Sequence, residues 1–120
     1  MDRSERMKAF AARVRTCWSP RTATTYSADN PSRGQCSVTA LLAHDELGGE
    51  LLKTRVGEAW HFYNRVDGER ADFTSEQFLH VIAYDDIAAT RAEAMDDTSP
   101  EQLAALREAC VRKRRAEITA

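Results

Sequence analysis

The sequence predicts a single α+β domain, in which a cysteine-bearing helix packs on a small antiparallel sheet with further helices at both ends of the chain. Apolar residues recur at helical spacing over residues 4–17 and again over 35–47. Over residues 50–73 apolar and polar residues alternate instead, as in strands, and aromatic and β-branched residues are frequent. A chain of 120 residues can bury one modest core, so we expect residues 1–120 to form one domain.

Composition and charge exclude several classes of protein. Charged residues make up 30% and apolar residues 42% of the chain, which is ordinary for a soluble globular domain. A net charge of -2 provides no general attraction for nucleic acid or anionic membranes. No apolar stretch approaches the roughly 20 residues that span a bilayer. We interpret the basic run Arg112–Arg115 as a solvated helix end, and we expect neither a nucleic-acid nor a membrane partner.

The cysteines and histidines indicate a reduced protein without a metal. Three widely spaced cysteines fit free thiols better than a disulfide framework. The first 15 residues lack the uninterrupted apolar core of a signal peptide, so a cytoplasmic location is expected. The sequence has no Cys-x-x-Cys or His-x-x-x-His pair that would indicate a zinc site, and it has no glycine-rich phosphate-binding loop. We therefore expect no metal and no cofactor.

The first helix should cover about residues 4–17, with Trp18 at its end and Pro20 stopping it. We expect Trp18 in the core, although it could also line a pocket formed by the next segment. Residues 19–34 form a long loop of the kind that often binds ligands, with disorder as the alternative.

A second helix should run from about Gln35 to Leu47 and end at Gly48-Gly49. It follows the polar loop Asn30-Pro31-Ser32-Arg33-Gly34, in which Gly34 allows a sharp turn. Cys36 then lies at the N-terminus of this helix. Unpaired backbone N–H groups and the positive end of the helix dipole favour a thiolate there.

Three strands should follow, over residues 50–56, 59–66 and 70–73, with Asp67-Gly68 as a two-residue hairpin turn. In that register Val66 pairs with Glu69, and Tyr63 faces Asp72. Because side chains alternate along a strand, His61 and Asp72 share one face as diagonal neighbours. The sequence thus predicts a hydrogen bond between them.

The second half of the chain is predicted with less regular signals. A short helix is expected around 75–80, a short strand or extended segment over 81–84, and a helix over 87–95. Ser99 should cap a last helix that begins at Pro100. Its apolar stripe is Leu103, Leu106 and Cys110.

These residues together describe acyl transfer. Cys36 would be the nucleophile, His61 its base, and Asp72 the group that orients His61 and stabilises its imidazolium. The backbone N–H of Cys36, with a side-chain amide from Gln35 or Asn30, would stabilise an oxyanion. The structural alternative is a buried helix-start thiol at Cys36, a polar sheet residue at His61 and a cap at Asp72.

Four segments carry a resemblance to a known family: Asn-Pro-Ser-Arg-Gly-Gln-Cys (30–36), His-Phe-Tyr-Asn (61–64), Val-Asp-Gly (66–68) and Asp-Phe-Thr-Ser-Glu-Gln-Phe (72–78). They resemble the YunG-like family of small bacterial proteins. More distantly, the order of cysteine on a helix, then histidine, then aspartate resembles the papain-like and transglutaminase-like superfamily. That resemblance implies a papain-like core, with Cys36, His61 and Asp72 at the triad positions.

The chain departs from papain-like proteases in two ways. Asn30 stands where those proteases carry a glutamine about six residues before the cysteine, and Gln35 is directly adjacent instead. The chain is also much shorter. We therefore expect a compact small-molecule or peptide substrate.

The sequence leaves three functions open. The first is a cysteine-dependent hydrolase or acyltransferase acting on an amide, ester or thioester, with Trp18, Trp60 and Tyr63 as further substrate-binding candidates. The second is a non-enzymatic module whose loop 19–34, Trp18 and Trp60 surround a ligand or peptide. The third is an interaction protein that uses its C-terminal helix to hold a partner or to form a homodimer. Exposure of Leu103 and Leu106 would be its structural sign.

Overall fold

The computed structural model describes residues 2–119. The helices are α1 (Arg3–Val14), α2 (Cys36–Leu47), α3 (Arg91–Asp96) and α4 (Pro100–Thr119). The strands β1 (Glu50–Val56), β2 (Ala59–Val66), β3 (Glu69–Ala71) and β4 (Ile87–Ala88) form one antiparallel sheet in the order β3-β2-β1-β4. The predicted α+β class is therefore observed.

Helix α1 ends three residues before the predicted end. Asp2 caps its start by accepting a hydrogen bond from the backbone N–H of Glu5 at 2.8 Å. Beyond Val14 the backbone tightens, because Thr16 donates both its N–H and its hydroxyl to the carbonyl oxygen of Arg13, at 3.1 and 2.7 Å. The predicted continuation to residue 17 is wrong for that reason.

Helix α2 is the centre of the molecule. All residues from Cys36 to Ala43 are buried, on every side of the helix, which is the pattern of a helix enclosed by its neighbours. It packs on the sheet, on α1, on α3 and on α4. The predicted bounds are confirmed to within one residue, including the end at Gly48.

The β2–β3 hairpin has the predicted register. Val66 pairs with Glu69 and Asn64 with Ala71. The turn residues Asp67 and Gly68 have φ of 53° and 81°, which is the left-handed backbone that a type I′ hairpin turn requires. The third strand stops at Ala71 rather than at residue 73, because the Asp72 carboxylate turns back to accept a hydrogen bond from the N–H of Thr74.

The segment after the hairpin differs most from expectation. The predicted helix over 75–80 is a single 3-10 turn, Ser75–Gln77, and residues 81–86 have no regular secondary structure. The predicted helix over 87–95 begins only at Arg91, because Ile87 and Ala88 pair with β1 instead. A capping box between Thr90 and Glu93 then starts α3.

Helix α4 begins as predicted, with the Ser99 hydroxyl accepting a hydrogen bond from the N–H of Gln102 at 3.1 Å. Leu103, Leu106 and Cys110 are buried in the core that α4 shares with α2. The exposed stripe expected of a helix-mediated interaction protein is therefore not observed at these positions. Residues 112–115 are exposed at the far end of the helix. None of the helices within residues 2–119 has the length and apolar character needed to cross a membrane.

Candidate active site

Cys36 is the first residue of α2, and the preceding loop delivers it there. Gly34 has φ +77°, and a Cβ at this position would lie 2.0 Å from the Thr25 hydroxyl oxygen. Gln35 occupies the N-cap without making a side-chain cap, and the first turn of α2 carries no acidic residue. The backbone N–H groups and the dipole of α2 therefore act on Cys36 without a competing anion from that turn.

His61 and Asp72 form a buried hydrogen-bonded pair. His61 Nε2 lies 2.6 Å from Asp72 Oδ2, and the two side chains are only 2% and 5% exposed. The pair forms where β3 has already ended, so that the chain at Asp72 is free to turn toward β2. The diagonal contact predicted from the hairpin register is therefore present.

Asp72 is held by more than His61. Its Oδ1 accepts hydrogen bonds from the N–H and the hydroxyl of Thr74, at 3.1 and 3.3 Å. Its Oδ2 accepts a second hydrogen bond, from the Tyr84 hydroxyl at 2.8 Å. The capping interaction that the structural alternative proposed for Asp72 exists as a turn around Thr74, and the same carboxylate also binds His61.

Electrostatics favour the charged form of His61. Burial lowers its pKa, but the hydrogen bond to the Asp72 carboxylate, the charge of that carboxylate and the nearby Cys36 together outweigh burial and raise the pKa from 6.5 to about 9. Burial raises the pKa of Asp72, but its hydrogen bonds to His61, Tyr84 and Thr74 lower it overall. An imidazolium beside a carboxylate is thus the favoured state of this pair at neutral pH.

Cys36 joins the pair through the imidazole ring. Its thiol is near enough to His61 to be one of the groups that raise the pKa of that imidazole. Nε2 of the ring faces Asp72. Cys36, His61 and Asp72 therefore form one cluster, with the residue types that a nucleophile, its base and an orienting group require.

Both sequence neighbours of Cys36, Gln35 and Ser37, carry a buried side-chain donor without a partner among residues 2–119, and Gln35 is the one that precedes the helix. The side chain is fully buried, and its Oε1 accepts a hydrogen bond from the Thr22 hydroxyl at 2.8 Å. Its Nε2 has no hydrogen-bond acceptor among residues 2–119. A buried amide hydrogen without an acceptor costs about 1–3 kcal/mol, and a substrate oxygen would remove that cost.

Asn30 and Tyr63 are engaged in other contacts. The Asn30 amide nitrogen donates to the carbonyl oxygen of Gln77 at 3.1 Å, which ties the loop 19–34 to the 3-10 turn. Tyr63 stacks on His61, with ring centroids 5.8 Å apart, and its hydroxyl donates to Asp86 at 2.9 Å.

The two tryptophans lie in different surroundings. Trp18 is buried and donates from Nε1 to the hydroxyl of Thr39 in α2 at 2.9 Å. Trp60 is 38% exposed, with Lys53 and Arg55 against its ring. As the strand neighbour of His61, Trp60 points to the opposite face of the sheet. Each borders a separate groove.

Two residues of this site were not predicted as such from the sequence. Phe78 packs edge-on against the His61 ring, with centroids 4.8 Å apart, and Tyr84 binds Asp72. Both belong to a segment without regular secondary structure, so no periodicity marks which side chains point inward. The concentration of apolar and aromatic residues over 78–84 was the only available signal.

Within residues 2–119, no group of three or more histidine, cysteine, aspartate or glutamate side chains is arranged to hold a metal ion. The fold and the site together define a small α+β protein with a buried cysteine–histidine–aspartate cluster.

The model of the YunG protein family matches residues 6–115, and the chain belongs to this family. It is 48% identical over 96 residues to a Bacillus subtilis (strain 168) protein described as uncharacterized protein YunG, an alignment that covers 80% of this chain and 84% of that protein. No solved structure matches, so the papain-like core implied by the more distant resemblance has no support from a known structure.

Proposed function

We propose that this protein is a cysteine-dependent hydrolase or acyltransferase, acting on an amide, ester or thioester through Cys36, His61 and Asp72. The observation that carries the proposal is the buried 2.6 Å hydrogen bond between His61 and Asp72, with the Cys36 thiol near enough to raise the pKa of the same imidazole. A histidine kept only for packing needs neither a buried carboxylate partner nor a neighbouring thiol.

The reaction follows from these positions. The Cys36 thiolate attacks the carbonyl carbon of the substrate, and the bond to the leaving group breaks with its electron pair. The His61 imidazolium gives its proton to the leaving group and becomes neutral. Water, or an acceptor amine or alcohol, then attacks the thioester while His61 takes its proton. The thiolate leaves, and the imidazolium and thiolate are restored.

Gln35 and the backbone of Cys36 would stabilise the oxyanion. The free Nε2 hydrogen of Gln35 and the N–H of Cys36 are donors on adjacent residues at a helix N-terminus. Asn30 is the weaker candidate for this role, because its amide nitrogen already donates to Gln77.

The surroundings of His61 support a compact substrate. A groove of about 330 Å³ runs along residues 75–84, and Phe78 and Tyr84 are among its lining residues. These two side chains also contact His61 and Asp72. The groove is lined by neighbours of the cluster and not by Cys36, His61 or Asp72, and its volume, near the lower end of ligand pockets, suits a small molecule or the end of a peptide. A nucleophilic thiol persists in a reducing compartment, which favours the cytoplasm.

The test is the capture of an acyl-enzyme with p-nitrophenyl acetate. We expect a burst of p-nitrophenol and one acetyl group on Cys36, located by peptide mass spectrometry. Cys36→Ala should abolish the burst. His61→Ala should slow acylation by about 10²–10⁴-fold, which is the usual contribution of a general acid or base.

Cys17→Ala is the matched control, since Cys17 is a buried thiol at the far end of the loop and should leave the burst unchanged. Acetyl groups spread over lysines, or a burst that survives in Cys36→Ala, would contradict the proposal and favour a binding module.

A further inference from the structure

We propose that Tyr84 is a positioning residue for this site, whose phenol hydroxyl fixes the Asp72 carboxylate and, through it, the orientation of His61. The inference rests on the proposed function, since it assigns a residue to the same site. It concerns a side chain whose hydroxyl binds the Asp72 carboxylate.

The first step concerns how the Asp72 carboxylate is held. Two hydrogen bonds from Thr74 hold Oδ1, while His61 at 2.6 Å and Tyr84 at 2.8 Å share Oδ2. Hydrogen bonds to an ionised acceptor are the strong ones. Without Tyr84, the only partner that Oδ2 keeps among residues 2–119 is the imidazole that Asp72 has to orient. The carboxylate could then rotate about the Thr74 contacts.

The second step concerns how Tyr84 itself is held. Its ring packs edge-on against Tyr63, with centroids 4.9 Å apart, and the Arg70 guanidinium lies 4.7 Å from its centre. Arg70 in turn makes two hydrogen bonds to Asp86, at 2.8 and 2.6 Å. The Tyr84 ring is thus held by Tyr63 of β2 and Arg70 of β3, and Asp86 in turn fixes Arg70.

The third step concerns the backbone that carries Tyr84. We call residues 78–86 the strap, because they cross the face of the sheet that bears Thr54, His61 and Tyr63. The Thr54 hydroxyl bonds to the carbonyl oxygen of Ala83 at 3.1 Å and accepts from the N–H of Asp85 at 3.0 Å. The N–H of Asp86 donates to the Tyr63 hydroxyl at 2.8 Å. Tyr84 therefore lies between two fixed points of the strap.

The contrast within the strap supports a specific role for this residue. Leu79 is 95% and Val81 is 100% exposed, so the strap does not bury its apolar residues indiscriminately. Burial raises the pKa of Tyr84 well above its ordinary value, and the hydrogen bond to Asp72 raises it further. The hydroxyl therefore keeps its proton at neutral pH and can donate it to Asp72.

The direct test is the proton on His61 Nε2, observed by low-field proton NMR in the wild type and in Tyr84→Phe. This substitution removes one oxygen and keeps the ring that Tyr63 and Arg70 contact. We expect the low-field resonance of the wild type to move upfield or to exchange away, since the Nε2–Oδ2 bond lengthens when the carboxylate is less well held. A resonance that stays in place or moves further downfield would overturn the proposal.

A second measurement separates positioning from a general structural effect. Iodoacetamide alkylation of Cys36 at pH 7 should slow about tenfold in Tyr84→Phe, the scale of one charge-assisted hydrogen bond. In an Asp72→Ala background the same substitution should have no further effect, because the oxygen on which Tyr84 acts is gone. An equal slowing in both backgrounds would show that Tyr84 acts elsewhere.

Tyr26→Phe is the matched control for the loss of a phenol hydroxyl, since Tyr26 is a half-buried tyrosine in the loop 19–34. It should change neither readout. The NMR result does not depend on turnover, so failure of the acyl-enzyme test and failure of this inference can be told apart.

Discussion

At the scale of the residue, the central feature is one imidazole with two partners. His61 is buried, yet the Asp72 carboxylate and the nearby Cys36 make its charged form the favoured one. The pair is costly to break, since removing one partner leaves a buried charge without compensation. The raised pKa of His61 also links the stability of the fold to pH.

His61 should make stability fall as the pH rises. Its pKa is 6.5 in an unperturbed setting and about 9 in the fold, so its contribution is complete below pH 6.5 and is lost as the pH rises to about 9. A Cys36 thiolate would contribute the opposite dependence on pH, so the contribution of His61 is isolated in Cys36→Ala, where we expect the unfolding free energy to fall over this interval. The measurement is urea unfolding of Cys36→Ala at several pH values.

In the Cys36→Ala/His61→Gln double variant this decline should be absent. His80→Gln, which changes an exposed histidine, should keep the decline when it is added to Cys36→Ala. A Cys36→Ala stability that is flat or rises between pH 6.5 and 9 would contradict the raised pKa of His61.

At the scale of the element, the turn before α2 decides where the thiol lies. Gly34 adopts φ +77° and leaves no room for a Cβ beside Thr25. The next residue, Gln35, is fully buried and caps the helix only through its backbone. A change at Gly34 therefore acts on the start of α2 and on Cys36 together.

Gly34→Ala should destabilise the protein by more than Gly57→Ala. Gly57 also has a positive φ, of 62°, but a Cβ at this position would meet open space. Its substitution therefore measures backbone strain alone, which should lower the unfolding free energy by about 1 kcal/mol. Gly34→Ala adds the clash with the Thr25 hydroxyl. We expect thermal or urea unfolding to show the larger loss at Gly34.

Thr25→Ala should recover the part of the loss that is due to the clash, while the part due to backbone strain remains. Equal losses at the two glycines, or no recovery in the Gly34→Ala/Thr25→Ala double variant, would contradict this account of the turn.

The sequence predicted those elements whose signals are local. Asp67-Gly68 set the register of the hairpin, and Gly48-Gly49 marked the end of α2. The secondary structure predicted for residues 75–90 was largely wrong, because long-range contacts determine the conformation of this stretch. Ile87 pairs with Lys53, and Asp86 binds Tyr63 and Arg70. Propensity within a short window contains no information about these contacts.

The same division holds for the candidate site. The proximity of His61 and Asp72 followed from strand parity across a two-residue turn, and the structure has that contact. The contribution of Tyr84 could not be predicted, since it comes from the strap, which has no period. The catalytic roles of Cys36, His61 and Asp72 stay a prediction.

At the scale of the whole molecule, the site lies where the central helix meets the sheet. Residues of α2, β2 and the segment after β3 each supply one member of the cluster, and α1 and α4 enclose α2 from outside. The two other cysteines lie in that enclosing core. Burial raises the pKa of Cys110, and the adjacent thiol of Cys17 raises it further.

The three cysteines thus form an internal comparison. Cys36, Cys17 and Cys110 are 8%, 6% and 2% exposed, so access to solvent differs little between Cys36 and Cys17. A difference in their reactivity would report their chemical surroundings, because the thiolate is the reacting species.

The measurement that tests the central claim most directly is the iodoacetamide alkylation rate of each cysteine as a function of pH, read by peptide mass spectrometry in the wild type and in His61→Ala. We predict that Cys36 reacts fastest by far at pH 6–7, below the ordinary thiol pKa of about 8.5, and that His61→Ala removes this advantage. A Cys36 that is inert, or that reacts at the rate of Cys17 with and without His61, would contradict an activated thiolate and with it the proposed chemistry.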